Sequence, residues 1–392
     1  MPNFSDRVHR IADEGSSAWD IHYAALAAVQ TDPDVIVLSV GDPDFSTPSH
    51  IVNALSESAQ AGDTHYTPIL GIDELRDAVA QKLRSQGAVH IQRENIAIVA
   101  GAQNALFAAA QCTLELGDEV ITFDPAYVTY EATVGAAGAK LIRVTGDAGN
   151  GFRPNIDALE KAITAKTRAI AFSNPNNPTG TAFTAGEFER INALAIKYDL
   201  WVWSDEVYAD LVFEHQHQSI SHFDQMNDRA ICIGSLSKSH AMTGWRVGWI
   251  AGPAELIGHV ENLSLCMLYG LPEFIQKAGA QAITHGELDV QQMRTTYCTR
   301  RDLLVSQLQG LSNVSLLIPQ AGMFLLMDIR DTGLSSQDFV KGLYEQYKVS
   351  VLDGAAFSPA LEGFVRLSFT NGETALIDAC ERIKIFISQL EK

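Results

Sequence analysis

The chain has 392 residues, 46% of them hydrophobic and 19% charged, which predicts two or three globular domains with a sizeable core. Its net charge of −19 argues against nucleic acid or an anionic membrane as a partner. Five scattered cysteines without a C-x-x-C pair predict free thiols in the cytoplasm, and neither an export signal nor an apolar membrane span is recognisable.

Residues 1–44 begin with a polar helical pattern and end in a short strand. The apolar run 35–40 predicts the strand, and the turn-rich segment 41–44 stops it. A glycine at a strand end allows a ligand or another part of the backbone to approach closely. Gly41 is therefore a candidate for such an approach.

From residue 95 onward, short β-rich runs alternate with helical patterns. The predicted strands are 96–99, 119–123, 140–144, 169–173, 200–204, 230–234 and 247–250. Helical patterns lie between most of them, and one of these begins with the capping box Thr184-x-x-Glu187. This alternation predicts an α/β fold with a mostly parallel central sheet covered by helices on both faces, in a large domain of residues 45–285.

The pattern changes after residue 285. A long helix over 288–308 precedes short strands, and two more helices are predicted over 336–347 and 373–390. The short predicted strands are 314–317, 323–328, 350–352 and 364–369. These elements predict a smaller α+β domain of residues 1–44 and 286–392, because the termini of such chains tend to lie close together.

A lysine follows one of the predicted buried strands. Lys238 lies close to Ser235 and Ser237, and Arg246 follows eight positions later. A lysine amine in a partly desolvated cleft loses proton affinity and can form a Schiff base with an aldehyde. Two hydroxyls and a guanidinium suit a phosphate, so the pattern favours an aldehyde that carries a phosphate, as pyridoxal phosphate does.

Two other interpretations of this lysine are open to the sequence. A lysine in a serine-rich turn is commonly a solvated loop residue. The run from Ser235 to Lys238 also matches the S-x-x-K motif of serine acyl-enzymes, but the K-T-G element that such enzymes require is absent. The rest of the chain must decide, according to whether it supplies the other parts of a pyridoxal phosphate site.

Two loops at predicted strand ends add candidate binding residues. The segment Gly101-Ala102-Gln103 follows a strand and opens a helix, where bare backbone N–H groups bind phosphate. It is neither a P-loop nor G-x-G-x-x-G, so ATP and NAD have little support. The loop 174–180 contains two prolines and a glycine, and it projects Asn177 from the carboxyl end of the sheet. Plain turns are the alternative for both loops.

Two charged residues lie where a charge requires a partner. Asp205 ends a nearly apolar strand, and a protonated pyridine nitrogen would be a suitable cation for it. Tyr208, three positions later, could donate a hydrogen bond to the phenolic oxygen of the cofactor. Arg366 lies inside an alternating strand and could bind a carboxylate with both nitrogens of its fork. The alternatives are a helix cap for Asp205 and an edge-strand charge for Arg366.

Together these residues resemble the class I/II aminotransferases of pyridoxal phosphate fold type I, over almost the whole chain. The resemblance implies that Lys238 forms the Schiff base and acts with Asp205 and Tyr208 in catalysis. It also implies a homodimer with shared active sites, which moves an α-amino group from an amino acid to a 2-oxo acid with ping-pong kinetics. No nucleic acid, membrane or metal belongs to this scheme.

The resemblance assigns the remaining residues to the cofactor or the substrate. The implied cofactor-binding residues are Lys238, Asp205 at the pyridinium, Asn177 and Tyr208 at the phenolic oxygen, Tyr127 stacked on the ring, Gly101, Ala102, Gln103, Ser235, Ser237 and Arg246 around the phosphate, and Tyr66 from the other subunit. The implied substrate-binding residues are Arg366, Asn177 and the backbone of Gly41, which bind the α-carboxylate.

The donor amino acid is suggested by further runs. No arginine occurs between Arg246 and Arg294, which counts against a strict aspartate enzyme. Runs at 18–23, 127–131, 235–249 and 261–276 are similar to those of family members that transfer the amino group of L-arginine to pyruvate. Asp20, beside Trp19, is then a candidate to contact the substrate guanidinium, and Glu131 is a second candidate.

Other functions within and outside the family are also possible from the sequence. An aminotransferase of broader aspartate, aromatic or alanine specificity would keep the same residues, as would a pyridoxal-phosphate-dependent C–S β-lyase. A regulator would need a DNA-binding domain, and the segment before Gly41 is too short for one. His215, His217 and His222 lack a frame of metal ligands, so we expect them in a surface loop.

Overall fold

The computed structural model, which describes residues 2–11 and 19–390, contains three sheets within those residues. Their strands are β1 (Ile36–Val37), β2 (Ile96–Val99), β3 (Glu119–Asp124), β4 (Lys140–Thr145), β5 (Thr167–Ser173), β6 (Trp201–Asp205), β7 (Ala230–Ser235), β8 (Gly248–Ala251), β9 (Ser315–Leu317), β10 (Phe324–Asp328), β11 (Val349–Ser350), β12 (Leu352–Asp353) and β13 (Phe364–Ser368). Each strand predicted from the apolar runs has a counterpart, with ends that differ by a few residues, except that the predicted strand 350–352 is divided between β11 and β12, which belong to different sheets.

The largest sheet has seven strands in the described part of the chain, in the order β2-β8-β7-β6-β5-β3-β4. The four pairings from β4 across to β7 are parallel, and the two pairings of β8 are antiparallel. Parallel strands bring their carboxyl ends to the same edge, so the loops after β5, β6 and β7 meet there. The predicted, mostly parallel central sheet is confirmed.

Helices cover both faces of this sheet. The α-helices of the described residues are α1 (Asp6–Arg10), α2 (Asp20–Ala28), α3 (Ser49–Ala61), α4 (Asp73–Ser85), α5 (Ala102–Thr113), α6 (Thr129–Ala136), α7 (Ile156–Ala162), α8 (Ala185–Tyr198), α9 (Ala254–Met267), α10 (Glu273–His285), α11 (Glu287–Leu308), α12 (Ser336–Tyr347) and α13 (Glu373–Leu390). No helix within the described ranges combines the length and the apolar character needed to cross a bilayer.

Alternation along the strands explains why both faces are covered. In β2, Ile96 and Ile98 are buried with residues of α4, α8 and α10, whereas Ala97 and Val99 are buried with residues of α5 and α9. Successive side chains of a strand point to opposite faces, so an uninterrupted apolar strand has to be covered twice. The central sheet is therefore the middle layer of three.

The second sheet, β12-β13-β10-β9, is antiparallel and lies with α11, α12 and α13 around its own hydrophobic cluster. The short strand β1 pairs in parallel with β11, which fastens the N-terminal segment to this unit. On this basis we propose the division into a large domain of residues 45–285 and a small domain of residues 1–44 and 286–392.

The predicted strand 35–40 is shorter in the structure, where it is limited to β1. Beyond β1 the chain runs between two neighbours, because Leu38 N donates to Ser350 O at 2.7 Å and Leu38 O accepts from Ser368 N at 2.7 Å. Ser39 O then accepts from the guanidinium of Arg366 instead of from a strand. The apolar run therefore ends as a loop that delivers Gly41 to a cleft at the edge of the central sheet.

Candidate active site

A cleft of about 580 Å³ lies at the carboxyl ends of β5, β6 and β7, bounded on its other side by β10 and β13. The predicted site residues that line it are Trp19, Gly41, Ala102, Gln103, Tyr127, Asn177, Asp205, Tyr208, Ser235, Ser237, Lys238, Arg246 and Arg366. Residues far apart in sequence thus meet in one space, at the edge where ligands of α/β sheets bind.

Lys238 follows the end of β7 and points into this cleft. Its amine donates a hydrogen bond to the carbonyl of Gly41 at 2.7 Å. Burial, together with the nearby guanidiniums of Arg366 and Arg246 and against the opposing effect of Asp42, lowers the pKa of this amine to about 8. About a tenth of the amine is therefore neutral, and hence nucleophilic, at pH 7, far more than for a lysine of ordinary pKa.

Asp205 ends β6 with a buried carboxylate. The hydroxyl of Tyr130 donates to one oxygen at 3.4 Å, and the backbone N–H of Val207 donates to the other at 3.4 Å. Burial raises the pKa of this carboxyl to about 7. None of the ion pairs within the described residues includes Asp205, so the carboxylate faces the cleft without the cation that a buried charge requires.

Arg366, on β13, is a buried cation that lines the same cleft as the buried Asp205 carboxylate. Its guanidinium is buried, donates to Asn177 Oδ1 and to Ser39 O at 2.9 Å each, and stacks 3.8 Å from the centre of the Phe324 ring. Burial lowers its pKa to about 10. Within residues 2–11 and 19–390 no carboxylate pairs with it, so the guanidinium is available to an anionic ligand.

The first turn of α5 and the loop after β7 form a cradle for an anion. Gly101 is the N-cap of α5 with φ +81°, and a Cβ atom there would lie 2.3 Å from Nη2 of Arg246. Arg246 is held by the carbonyls of Thr243 at 2.7 Å and Ala100 at 3.2 Å. The hydroxyl of Ser235 donates to that of Ser237 at 2.8 Å on the same side of the cleft.

Two tyrosines and an asparagine complete the lining. Burial raises the pKa values of Tyr127 and Tyr208, so both phenols stay protonated and can donate hydrogen bonds. Asn177 is positioned by the loop after β5, where Gly180 adopts φ +68° and a Cβ atom would lie 2.2 Å from Pro319. Only glycine fits there, which explains the glycine that closes the N-P-N-N-P-T-G run.

The model of the family "aminotransferase class I and II" matches residues 33–383. The chain belongs to this family. Arginine–pyruvate transaminase AruH of Pseudomonas aeruginosa is 46% identical over 99% of this chain and 98% of its own length. Aspartate aminotransferase of Pyrococcus abyssi is 36% identical over 90% of this chain and 91% of its own length.

Solved structures agree with the sequence comparison. The structure of Thermus thermophilus aspartate aminotransferase with maleate has a TM-score of 0.92 and 32% identity, and the match covers 98% of this chain and 100% of that one. The chain is therefore an aminotransferase with fold type I, and its family depends on pyridoxal phosphate.

Three predicted site residues of this aminotransferase do not line the cleft. Gly101 supports it from behind, through its contact with Arg246. Tyr66 is 86% exposed and packs 5.0 Å from the ring of Tyr269, outside the cleft of its own chain. Asp20 is exposed at the first residue of α2, although its neighbour Trp19 lines the cleft.

Other predictions also require correction or fall outside the described residues. Glu131 does not reach the cleft, because its carboxylate pairs with Arg143 at 3.4 Å. The expected histidine surface loop is wrong for His217, whose side chain is 7% exposed and lies 3.1 Å from Glu206. Ala18, in the first of the runs that suggested arginine, lies outside the described residues.

Four residues that line the cleft of the aminotransferase or contact its lining were not predicted from the sequence. Tyr130, in the first turn of α6, contacts Asp205, and its place three residues after Tyr127 was an available signal. Phe324 and Phe357 sandwich the guanidinium of Arg366, at 3.8 and 4.8 Å from their ring centres. Asp42 also lines the cleft, one residue after Gly41. In the sequence, its position in a turn was the one signal that pointed to it.

Proposed function

We propose that this aminotransferase uses pyridoxal phosphate to move the α-amino group of an amino acid, L-arginine in our assignment, to a 2-oxo acid, pyruvate in our assignment. The proposal is supported by a single cleft in which the pKa of Lys238 is lowered. In the same cleft, Asp205 and Arg366 lack partners of opposite charge among the described residues. The cleft thus requires a ligand that is cationic at one place and anionic at another.

The residues present fit the cofactor at both ends. A protonated pyridine nitrogen is the cation that the buried Asp205 lacks. A phosphate fits the cradle formed by Arg246, Ser235, Ser237 and the first N–H groups of α5, where the absence of a side chain at Gly101 makes room for the Arg246 guanidinium. Tyr208 and Asn177 would hold the phenolic oxygen, and Tyr127 would pack on the ring.

The chemistry at the substrate requires a base with a suitable pKa. When bound, the cofactor supplies an electron sink that stabilises negative charge at the substrate α-carbon. Lys238 would take the α-proton on its neutral amine and return it, and a pKa of about 8 makes that amine available near neutral pH. The protonated phenol of Tyr208 would donate a hydrogen bond to the phenolic oxygen of the cofactor.

Arg366 would bind the substrate α-carboxylate. Its fork already has two nitrogens fixed by Asn177 and Ser39, and aromatic rings hold it on both sides. A preorganised guanidinium loses little entropy on binding and accepts a planar carboxylate with defined geometry. The backbone N–H of Gly41 would also donate to this carboxylate, since Gly41 lines the same cleft.

The assignment of arginine and pyruvate rests on the relative from Pseudomonas aeruginosa, whose name states both substrates and which matches nearly the whole chain. The kinetics would be ping-pong, since one 2-oxo acid leaves before the second binds. A broader specificity has support from relatives at 36% identity that are named as aspartate and aromatic-amino-acid aminotransferases.

Assembly and location are further parts of the proposal. Tyr66, with Tyr269, forms an exposed aromatic surface away from the cleft of its own chain, which supports a homodimer in which Tyr66 reaches the partner's phosphate cradle. The cysteines within the described residues are free, as expected of a cytoplasmic enzyme.

The deciding experiment adds L-arginine to the cofactor-loaded protein without any acceptor. One equivalent of 2-oxo acid per active site, a change in the visible absorbance of the bound cofactor and reversal by pyruvate would support the proposal. Conversion by aspartate, an aromatic amino acid or alanine, but not by arginine, would replace the donor. Release of ammonia and pyruvate from an S-substituted cysteine, with no need for an acceptor, would favour the C–S β-lyase instead.

A further inference from the structure

One charged group in the cleft is not used by the proposed reaction. The cations that line the cleft, Lys238, Arg246 and Arg366, all have roles, and so does the carboxylate of Asp205. Asp42 is the other carboxylate among the described lining residues. It is exposed, which places it toward the open side, and no described side chain forms an ion pair or hydrogen bond with it.

The loop that carries Asp42 is fixed without the help of its carboxylate. Asp44, two positions later, pairs with Arg300 at 2.8 Å. The hydroxyl of Thr47 donates to the carbonyl of Ala241 at 2.6 Å. The carbonyl of Gly41, immediately before Asp42, accepts from the Lys238 amine at 2.7 Å. The position of Asp42 beside the reacting centre is therefore built into the fold, while its charge is left free.

Other carboxylates near the entrance are not available to a ligand. Asp44 is occupied by Arg300, and Glu131 is occupied by Arg143. Asp20 is exposed on α2 and is absent from the cleft lining. Asp42 is thus the one carboxylate in the described part of the chain that both faces the open side of the cleft and lacks a cationic partner.

The cleft also offers apolar surface for the stem of a basic side chain. Trp19 and Val40 line the same cleft as Asp42. Asp42 directly follows Gly41, whose carbonyl accepts from the Lys238 amine, and adjacent Cα atoms are about 3.8 Å apart. Basic side chains bury their methylene stems on apolar surface and place the charge beyond it.

We propose that Asp42 binds the cationic end of the donor side chain and so makes basic amino acids the donor class of this enzyme. This inference rests on the proposed function. The charge of Asp42 reaches the reacting centre, since it opposes the lowering of the Lys238 pKa. The net charge of −19 further favours the approach of cationic donors.

The test compares arginine with alanine as donors in the holoenzyme, with pyruvate or another 2-oxo acid as acceptor. Asp42→Asn should lower the ratio of kcat/KM for arginine to that for alanine about tenfold, and Asp42→Lys should lower it further through repulsion. Asp42→Glu should restore most of the ratio. The ratio is measured on the same protein preparation, so it does not depend on how much of each variant has folded.

Asp20→Asn is the matched control, an aspartate beside the same entrance that does not line the cleft, and it should leave the ratio at the wild-type value. If both donors react and Asp42→Asn leaves the ratio unchanged, the role of Asp42 is refuted and the transaminase survives. If Asp20→Asn alone lowers the ratio, the guanidinium site lies at α2. If wild-type protein yields no 2-oxo acid from any donor, the proposed function itself fails, and this inference with it.

Discussion

Two adjacent carboxylates at the end of β6, Asp205 and Glu206, differ in the partners that the folded chain gives them. Glu206 is buried, yet the charge of His217 and the hydroxyls of Ser219 and Ser204 overcome burial and lower its pKa. Asp205, one residue earlier, has only distant contacts, and burial raises its pKa to about 7. Successive residues point to opposite sides, so one carboxylate enters a complete internal network and the other enters the cleft.

The buried arginines repeat this contrast. Arg301 pairs with Glu214 and Asp302, within the protein. Arg366 is just as buried but meets only neutral oxygens and aromatic rings. The carboxylate of Glu206 and the guanidinium of Arg301, outside the cleft, have charged partners in the chain, whereas Asp205 and Arg366, inside it, have none among the described residues. Unsatisfied buried charge costs stability, which is why it marks function here.

The largest expected effect is at the lysine. Lys238→Ala should lower kcat/KM at least about 10³-fold, because the amine is both the cofactor anchor and the proposed base. Lys82→Met is the comparison outside the cleft, because Lys82 is paired with Asp210 at 2.7 Å. This variant should have a lower Tm, but its folded molecules should keep the turnover of the wild-type protein. Steady-state kinetics and thermal unfolding measure both. Comparable losses of turnover in the two variants would contradict the contrast.

The neighbouring carboxylates should respond in opposite ways. Asp205→Asn should lower kcat/KM about 10²-fold, yet stabilise the cofactor-free protein at pH 8, because a pKa raised from 3.8 to about 7 corresponds to roughly 4 kcal/mol of penalty on the charged form. Glu206→Gln should destabilise by about 3 kcal/mol, since it breaks a buried pair. Thermal unfolding of the cofactor-free proteins gives the comparison.

The pH dependence fixes the sign of the Asp205 effect. The folded state binds the Asp205 proton more tightly than the unfolded state, so stability falls as the pH rises from about 4 to 7. The advantage of Asp205→Asn should therefore shrink as the pH is lowered from 8 to 6. An advantage that grows on acidification would mean that Asp205 has a cationic partner in the cofactor-free protein.

Arg366→Lys keeps the charge but removes the fork. We expect kcat/KM for any amino acid donor to fall about 30-fold, mainly through a higher KM, because one ammonium cannot hold Asn177, Ser39 and a carboxylate together. Donors with different side chains should lose equally, since they share the α-carboxylate. A loss confined to one donor class would place Arg366 at the side chain rather than at the carboxylate.

The smallest effect is a pH profile. In cofactor-free protein, acetylation of Lys238 measured by mass spectrometry should rise about eightfold between pH 7.0 and 8.5, because a pKa of about 8 is passed in this interval. Lys197 is the internal control, with a pKa raised by its hydrogen bond to Glu160, and its labelling should rise about 30-fold over the same interval. Equal slopes would show that Lys238 is not perturbed.

Much of the fold could be predicted because its signals are local. The helices at 336–347 and 373–390 begin and end where their periodicity does, as α12 and α13 show. The capping box at Thr184 and Glu187 is present in the structure, with both reciprocal hydrogen bonds. Of the run 35–40, only β1 joins a ladder, because beyond it Leu38 bonds to two different strands and Ser39 bonds to the guanidinium of Arg366.

The site was predictable to the extent that it lies at strand ends. Asp205 ends a buried strand and Lys238 lies three residues after the end of another, and a charge in such a position is informative by itself. The side chain of His217 was missed because its partner Glu206 is eleven positions away, and the exposed position of Asp20 depends on how α2 packs. Contacts of this kind are set by packing, which no local pattern encodes.

The sequence by itself determined the elements, their alternation and the residue types that the chemistry requires, because periodicity, caps and turn residues act over a few positions. Only the tertiary structure decided which charges are paired. Asp44 and Asp42 are equivalent by sequence, but Arg300 from α11 reaches one of them and leaves the other free at the cleft. Whether a charge is satisfied depends on partners hundreds of residues away, and that is settled only when the chain has packed.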